Sequence, residues 1–184
     1  MTTADKSMGF WKTAIFYGTP AGALIIGFMM TNYLMFGLHS GATSMVIGFI
    51  IMFLVLSLIF FGIKKFRDRE QGGVIKFSKA LMLGLAMSLC AGIAYVVIWE
   101  VFQLFIGDRF ITEYTDHLIE LEKAKGVSAE ALQIFTDKKM ALKESYANPL
   151  FRIPVTFSEI FPMGIIVSLV SALALHVPKI WARA

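Results

Sequence analysis

Four long apolar segments constrain this chain more than any other feature of its sequence. Glu100 and Glu159 are the only acidic or basic residues inside them, apart from one histidine. Each segment exceeds the roughly 20 residues with which an α-helix crosses a hydrocarbon core of about 30 Å. Only 16% of all residues are charged, too few for the surface of a soluble domain. The segments are residues 13–38, 42–63, 80–107 and 153–178.

These segments predict an all-α, integral membrane four-helix bundle that forms a single polytopic domain over residues 1–184. We expect the spans at about 12–37, 43–63, 78–106 and 152–177. A more polar stretch, 108–148, separates the third span from the fourth and predicts a two-helix amphipathic insert outside the cytoplasm. Tyr33, Trp99 and Phe105 would mark the outer membrane interface as part of an aromatic belt.

Charge is unevenly distributed between the connections. Residues 64–79, between spans two and three, hold six basic residues against two acidic ones, whereas residues 108–148 hold six against eight. The positive-inside rule therefore places both termini and the 64–79 loop in the cytoplasm. In that loop Gly72 and Gly73 would supply the turn, and the basic residues are candidate contacts for anionic lipid headgroups. These are Lys64, Lys65, Arg67, Arg69, Lys76 and Lys79.

The insert predicts two helices of about 14 to 18 residues, the second capped by Ser128. Helices this short are marginal alone, so their apolar faces need a partner. The faces could pack on each other, on the membrane surface, on a second copy or on another protein. The apolar positions are Phe110, Ile111, Tyr114, Leu118 and Leu121, followed by Leu132, Phe135, Leu142 and Tyr146.

The two intramembrane glutamates form a candidate polar site. At 1.5 Å per residue, Glu100 lies about 12 Å and Glu159 about 9 Å outward from the middle of their spans. Arg152 could pair with either acid, and Gln103 could hydrogen-bond to Glu100. Two interpretations stay open, namely structural pairing and the handling of a proton or ligand.

Small residues recur at four-residue intervals in three spans, a spacing that lets helix backbones approach closely. The sequence does not tell whether these stripes join spans within one copy or between copies. They are Gly18 and Gly22, then Ala80, Gly84, Ser88 and Gly92, and finally Gly164, Ser168 and Ala172.

No catalytic motif is present, and neither a metal site nor a cofactor is predicted. The sequence lacks HExxH, cysteine-rich zinc spacing, a phosphate-binding glycine loop and a nucleophile elbow. The single cysteine, Cys90, lies in the third span and is expected to pack as a small apolar residue.

The stretch "GIKKFRDREQGGVIKFSKAL", residues 62–81, resembles the signature of a family of small bacterial inner-membrane proteins catalogued as domain of unknown function 4199. That signature joins a G-I-K-x-[YF]-R-D turn, a Gly-Gly pair and a following F-x-x-A-L pattern. The outline of four spans, a helical insert with a "GVSAE" start and an Asn-Pro before span four is similar as well. The resemblance implies this fold and a bacterial inner membrane, and it implies no activity.

The sequence therefore favours a small, non-enzymatic membrane protein that serves as an accessory, scaffold or complex subunit. It would contact membrane lipids and could form a homo-oligomer or a larger complex through the outer helices. Alternatives are a small proton-coupled transporter that uses the intramembrane glutamates and a lipid-binding protein. Nucleic acid is not an expected partner, because the excess of basic residues lies beside the spans.

Overall fold

The structure, a computed structural model, describes residues 8–37 and 41–176. The described residues are almost entirely helical, and four of the helical stretches are long and apolar enough to span a membrane, which confirms the predicted all-α membrane bundle. The chain termini and the centre of the short loop between spans one and two lie outside the described residues. The helices are α1 Phe10–Phe36, α2 Gly41–Leu56, α3 Leu58–Glu70, α4 Phe77–Ile106, α5 Arg109–Ala124, α6 Ala129–Tyr146 and α7 Pro149–Leu175.

The second span is built from two helices, α2 and α3, that meet at Ser57. The Ser57 hydroxyl donates to the carbonyl oxygen of Leu54 at 2.6 Å, and this local bond competes with the regular helical ladder. Beyond the junction α3 continues to Glu70 and does not end at residue 63, where we expected the span to end. Lysine, arginine and glutamate are good helix formers, so the basic stretch extends the helix.

The connection from α3 to α4 is consequently a short turn at residues 71–76. Gly72 and Gly73 have φ angles of 64° and 89°, in the left-handed region that favours glycine. The amide of Gly73 donates to the carbonyl oxygen of Arg67 at 3.0 Å, which closes the end of α3. Four of the predicted loop residues therefore lie on helix α3, namely Lys64, Lys65, Arg67 and Arg69. Lys76 is the basic residue of the turn itself.

Helix α4 is the central element of the bundle and packs against both α1 and α7. A Cβ atom at Gly22 would collide with the carbonyl oxygen of Ala91, so α1 and α4 meet backbone to backbone. On the other side of α4, Ser88 Oγ lies 3.0 Å from Ser168 Oγ of α7, and a Cβ at Gly84 would meet Ser168. The small-residue stripes thus join spans within one chain.

Helices α5 and α6 form an outer cap, the name used below for residues 109–146, and they pack against each other. Ser128 caps α6 as expected, because its Oγ accepts from the amide of Ala131 at 3.2 Å. Asn148 caps α7 in the same way, with Oδ1 accepting from the amide of Leu150 at 3.0 Å. The bundle therefore has a cap end and, opposite it, a basic end where α3 stops and α4 begins.

Candidate functional site

A cavity of about 370 Å³ opens at the basic end, beside α1 and α3. Tyr17 contributes from α1, and five residues contribute from α3. Their positions follow from helical spacing, since residues three and four apart share a face of α3. The α3 residues are Phe61, Lys64, Lys65, Asp68 and Arg69, so three of the six predicted headgroup contacts line one concave site.

Arg67 differs from these residues, contrary to our prediction, because its side chain is completely buried. Its Nε donates to Asp68 Oδ1 at 2.8 Å, and its Nη1 lies 3.5 Å from the carbonyl oxygen of Leu175 near the end of α7. A cation at a helix C-terminus is favoured by the helix dipole. Arg67 follows the buried Ile63 by four positions, so helical periodicity alone would place it on the buried face of α3. The neighbouring charged residues made a solvent-exposed position the expected one.

Lys76 and Lys79 lie at the basic end but outside the cavity lining, and both are exposed. Lys79 Nζ donates to Gln71 Oε1 at 2.9 Å and lies 5.7 Å from the centre of the Phe66 ring. This lysine therefore helps to close the turn between α3 and α4.

Near the cap end, Glu100 of α4 and Arg152 of α7 form a two-pronged ion pair. Arg152 Nε donates to Glu100 Oε1 at 2.8 Å and Nη2 to Oε2 at 2.5 Å, while Nη1 donates to the carbonyl oxygen of Tyr146 at 3.2 Å. The sequence allowed Arg152 to pair with Glu100 or Glu159, and in the structure it pairs with Glu100. Gln103 makes no hydrogen bond to Glu100, whose two oxygens accept from Arg152. The Gln103 Oε1 atom is buried without a hydrogen-bond partner among the described residues. Arg152 thereby joins α4, α6 and α7.

Glu159 has a different environment from Glu100. The hydroxyl of Tyr95 lies 3.1 Å from Glu159 Oε2 and 2.9 Å from Met29 Sδ, and its single hydrogen serves one acceptor at a time. No Lys or Arg of the described residues pairs with Glu159. Glu159 is an exposed residue of α7, beside Tyr95 of α4.

The cap is fastened to the spans by aromatic residues and two hydrogen bonds. Tyr33 donates to Glu113 Oε2 at 2.9 Å, and Trp99 Nε1 donates to the Tyr146 hydroxyl at 3.0 Å. The Phe110 ring lies 5.4 Å from that of Tyr33 and 4.8 Å from that of Trp99. Tyr33 and Trp99 are buried under the cap, whereas we expected them at the membrane interface. Sequence periodicity did not reveal these contacts, because they join helices far apart in the chain.

Among the residues that the structure describes, no three His, Cys, Asp or Glu side chains lie close enough to hold a metal ion.

Neither the curated proteins nor the solved structures contain a match to this chain. A family model matches residues 17–176. This range covers most of α1 and all of the helices that follow it, including the cap. The chain therefore belongs to the family described as "Protein of unknown function (DUF4199)".

Proposed function

We propose that the chain is a non-catalytic subunit of a larger membrane assembly, which it joins through the outward face of α6. The observation that supports this role is the exposure of that helix. Within α6, which the structure describes in full, only Tyr146 is buried. Ile134 and Met140 are 51% and 50% exposed, and charged residues lie beside them. Such a mixture of apolar and charged surface is found at protein interfaces.

The fastening of the cap supports the same role. Bonds from Tyr33 to Glu113 and from Trp99 to Tyr146 hold the cap on the spans, so a partner on α6 would be positioned relative to the membrane. The partner is a second copy or another membrane protein. The cap would lie outside the cytoplasm and the basic end inside it, according to the distribution of Lys and Arg. A bacterial inner membrane is the location that the resemblance of residues 62–81 implies.

Site-specific photocrosslinking in native membranes tests this proposal. A benzophenone side chain at position 134 should give a covalent protein adduct, because this position lies on the open face of α6. The same side chain at position 135 should give none, because Phe135 is half-buried. An adduct with the mass of two chains identifies a homo-oligomer, and a different mass identifies a hetero-complex. Absence of any protein adduct at positions 134 and 140 contradicts the proposal.

A second candidate, a proton-coupled carrier, is favoured by the surroundings of Glu159. An ionisable residue in a span without a paired cation is expensive in a bilayer and is commonly functional. Glu100 is not a candidate for the same role, because Arg152 engages both of its oxygens.

Proton flux into liposomes that contain the purified chain tests this candidate. Under an imposed potential, Glu159→Gln should abolish a flux that Glu120→Gln, a change of an exposed acid on the cap, leaves intact. Equal flux for wild type and Glu159→Gln, or no flux above protein-free liposomes, rules it out.

A further inference from the structure

The cavity at the basic end has the charge and the lining of an anion site. Lys64, Lys65 and Arg69 contribute three positive charges, and Asp68 is the single acid in the lining. Asp68 already accepts a hydrogen bond from buried Arg67 at 2.8 Å. We propose that this cavity binds the phosphate headgroup of an anionic phospholipid, with the ammonium groups of Lys64 and Lys65 as its principal contacts.

Phosphate oxygens are favourable acceptors for this set of donors. Lysine and arginine form charge-assisted hydrogen bonds to phosphate, which are shorter and stronger than neutral ones. The Tyr17 phenol on the facing wall can act as a further, neutral hydrogen-bond donor. A zwitterionic headgroup would bring its own cation near the three basic side chains, so a lipid with net negative charge fits better.

The depth of the site indicates a lipid as the source of the phosphate. Lys64 and Lys65 lie six and five residues before the end of α3, which is about 8–9 Å along the helix. Their long side chains can extend from that depth toward the headgroup level. Phe16 of α1 and Phe61 of α3 are 60% and 55% exposed. Their chain neighbours Tyr17 and Gly62 are in contact, so the two rings lie at a similar level and an acyl chain would find an apolar surface directly below the charges.

The other three predicted headgroup contacts do not line the cavity, so the cavity is a specific site and not merely part of a positively charged surface. Arg67 is buried and engaged with Asp68 and Leu175. Lys76 and Lys79 are exposed at the same end of the bundle but lie outside the cavity. The chain therefore offers a matched control, with two lysines inside the site and two outside it.

Native mass spectrometry of the purified full-length chain, titrated with phosphatidylglycerol or phosphatidylcholine, tests the proposal. We expect phosphatidylglycerol to bind in preference. Lys64→Gln/Lys65→Gln should weaken its binding about 30-fold, which corresponds to about 1 kcal/mol for each lysine. Lys64→Arg/Lys65→Arg should restore most of the affinity, because the charge and the donors are kept.

Three results would overturn the proposal. Equal binding of the two lipids by the wild-type chain would remove the role of charge. An equal loss in Lys76→Gln/Lys79→Gln and in the cavity variant would show diffuse attraction and no site. Displacement of the bound phospholipid by excess inorganic phosphate would identify a soluble anion, and not a lipid, as the occupant.

Discussion

At the scale of single residues, the charges in the spans differ in how they are compensated. Arg152 and Glu100 satisfy each other across α4 and α7, and Arg67 is buried between Asp68 and the end of α7. Among the residues that the structure describes, Glu159 has only the Tyr95 hydroxyl as a polar partner at hydrogen-bond distance. Among the described residues, Glu100 therefore has a paired cation and Glu159 has none.

Arg67→Met should destabilise the chain by about 2–3 kcal/mol. Removing one member of a fully buried pair costs about 3–5 kcal/mol, and the loss is smaller here because the Asp68 side chain keeps 11% exposure. Thermal unfolding in detergent micelles measures the change. Arg69→Met removes the same charge from an exposed position two residues later and should have a smaller effect. A similar shift for both variants would contradict the structural role of Arg67.

The pair between Glu100 and Arg152 predicts a recovery in a double variant. Glu100→Met leaves the Arg152 guanidinium without its carboxylate, so we expect a loss of about 3 kcal/mol. Glu100→Met/Arg152→Met removes both charges from an apolar setting and should be more stable than either single variant. Melting temperatures of the four proteins complete the cycle. Additive losses would show that the two residues do not act as a pair.

At the scale of helices, the approach of α1 to α4 depends on glycine. Gly22→Ala should destabilise the bundle by about 1–3 kcal/mol, because the new methyl group would collide with the backbone of Ala91 and force the helices apart. Gly27→Ala on the same helix meets nothing within 4 Å and should be neutral or slightly stabilising. Resistance to thermal unfolding distinguishes the two. If both substitutions are tolerated equally, the close backbone contact is not a determinant of stability.

The number and type of elements could be predicted because each apolar run identifies its helix locally. The Ser128 cap and the two cap helices are also local patterns, and the structure has both. We expected the second span to end at residue 63 and a loop to follow. The helix continues seven residues further, to Glu70, because the residues of the basic stretch are good helix formers. The partners of Arg152, Glu159 and Trp99 could not be chosen from sequence, because the rotation of each helix against its neighbours decides them.

At the scale of the whole molecule, the two ends of the bundle differ in how they are held. The basic end is closed by a short turn and by Arg67, which joins α3 to α7. The cap end is held by side chains that lie far apart in sequence, such as Tyr33 with Glu113 and Trp99 with Tyr146. We therefore expect that the cap can loosen by losing a few contacts while the spans stay assembled.

Trp99→Phe should loosen the cap without unfolding the spans. The substitution keeps an aromatic ring beside Phe110 but removes the indole N–H, so the Tyr146 hydroxyl loses its donor, at a cost of about 1 kcal/mol. Hydrogen exchange should then accelerate roughly fivefold at the amides of α5 and α6 and remain unchanged in the middle of α4 and α7. Trp11→Phe, which alters an exposed tryptophan at the basic end, is the matched control and should leave exchange in the cap as in the wild type. Uniform acceleration over the whole chain would show that the cap and the spans unfold as one unit, and unchanged exchange in the cap would show that the Trp99–Tyr146 bond does not hold it.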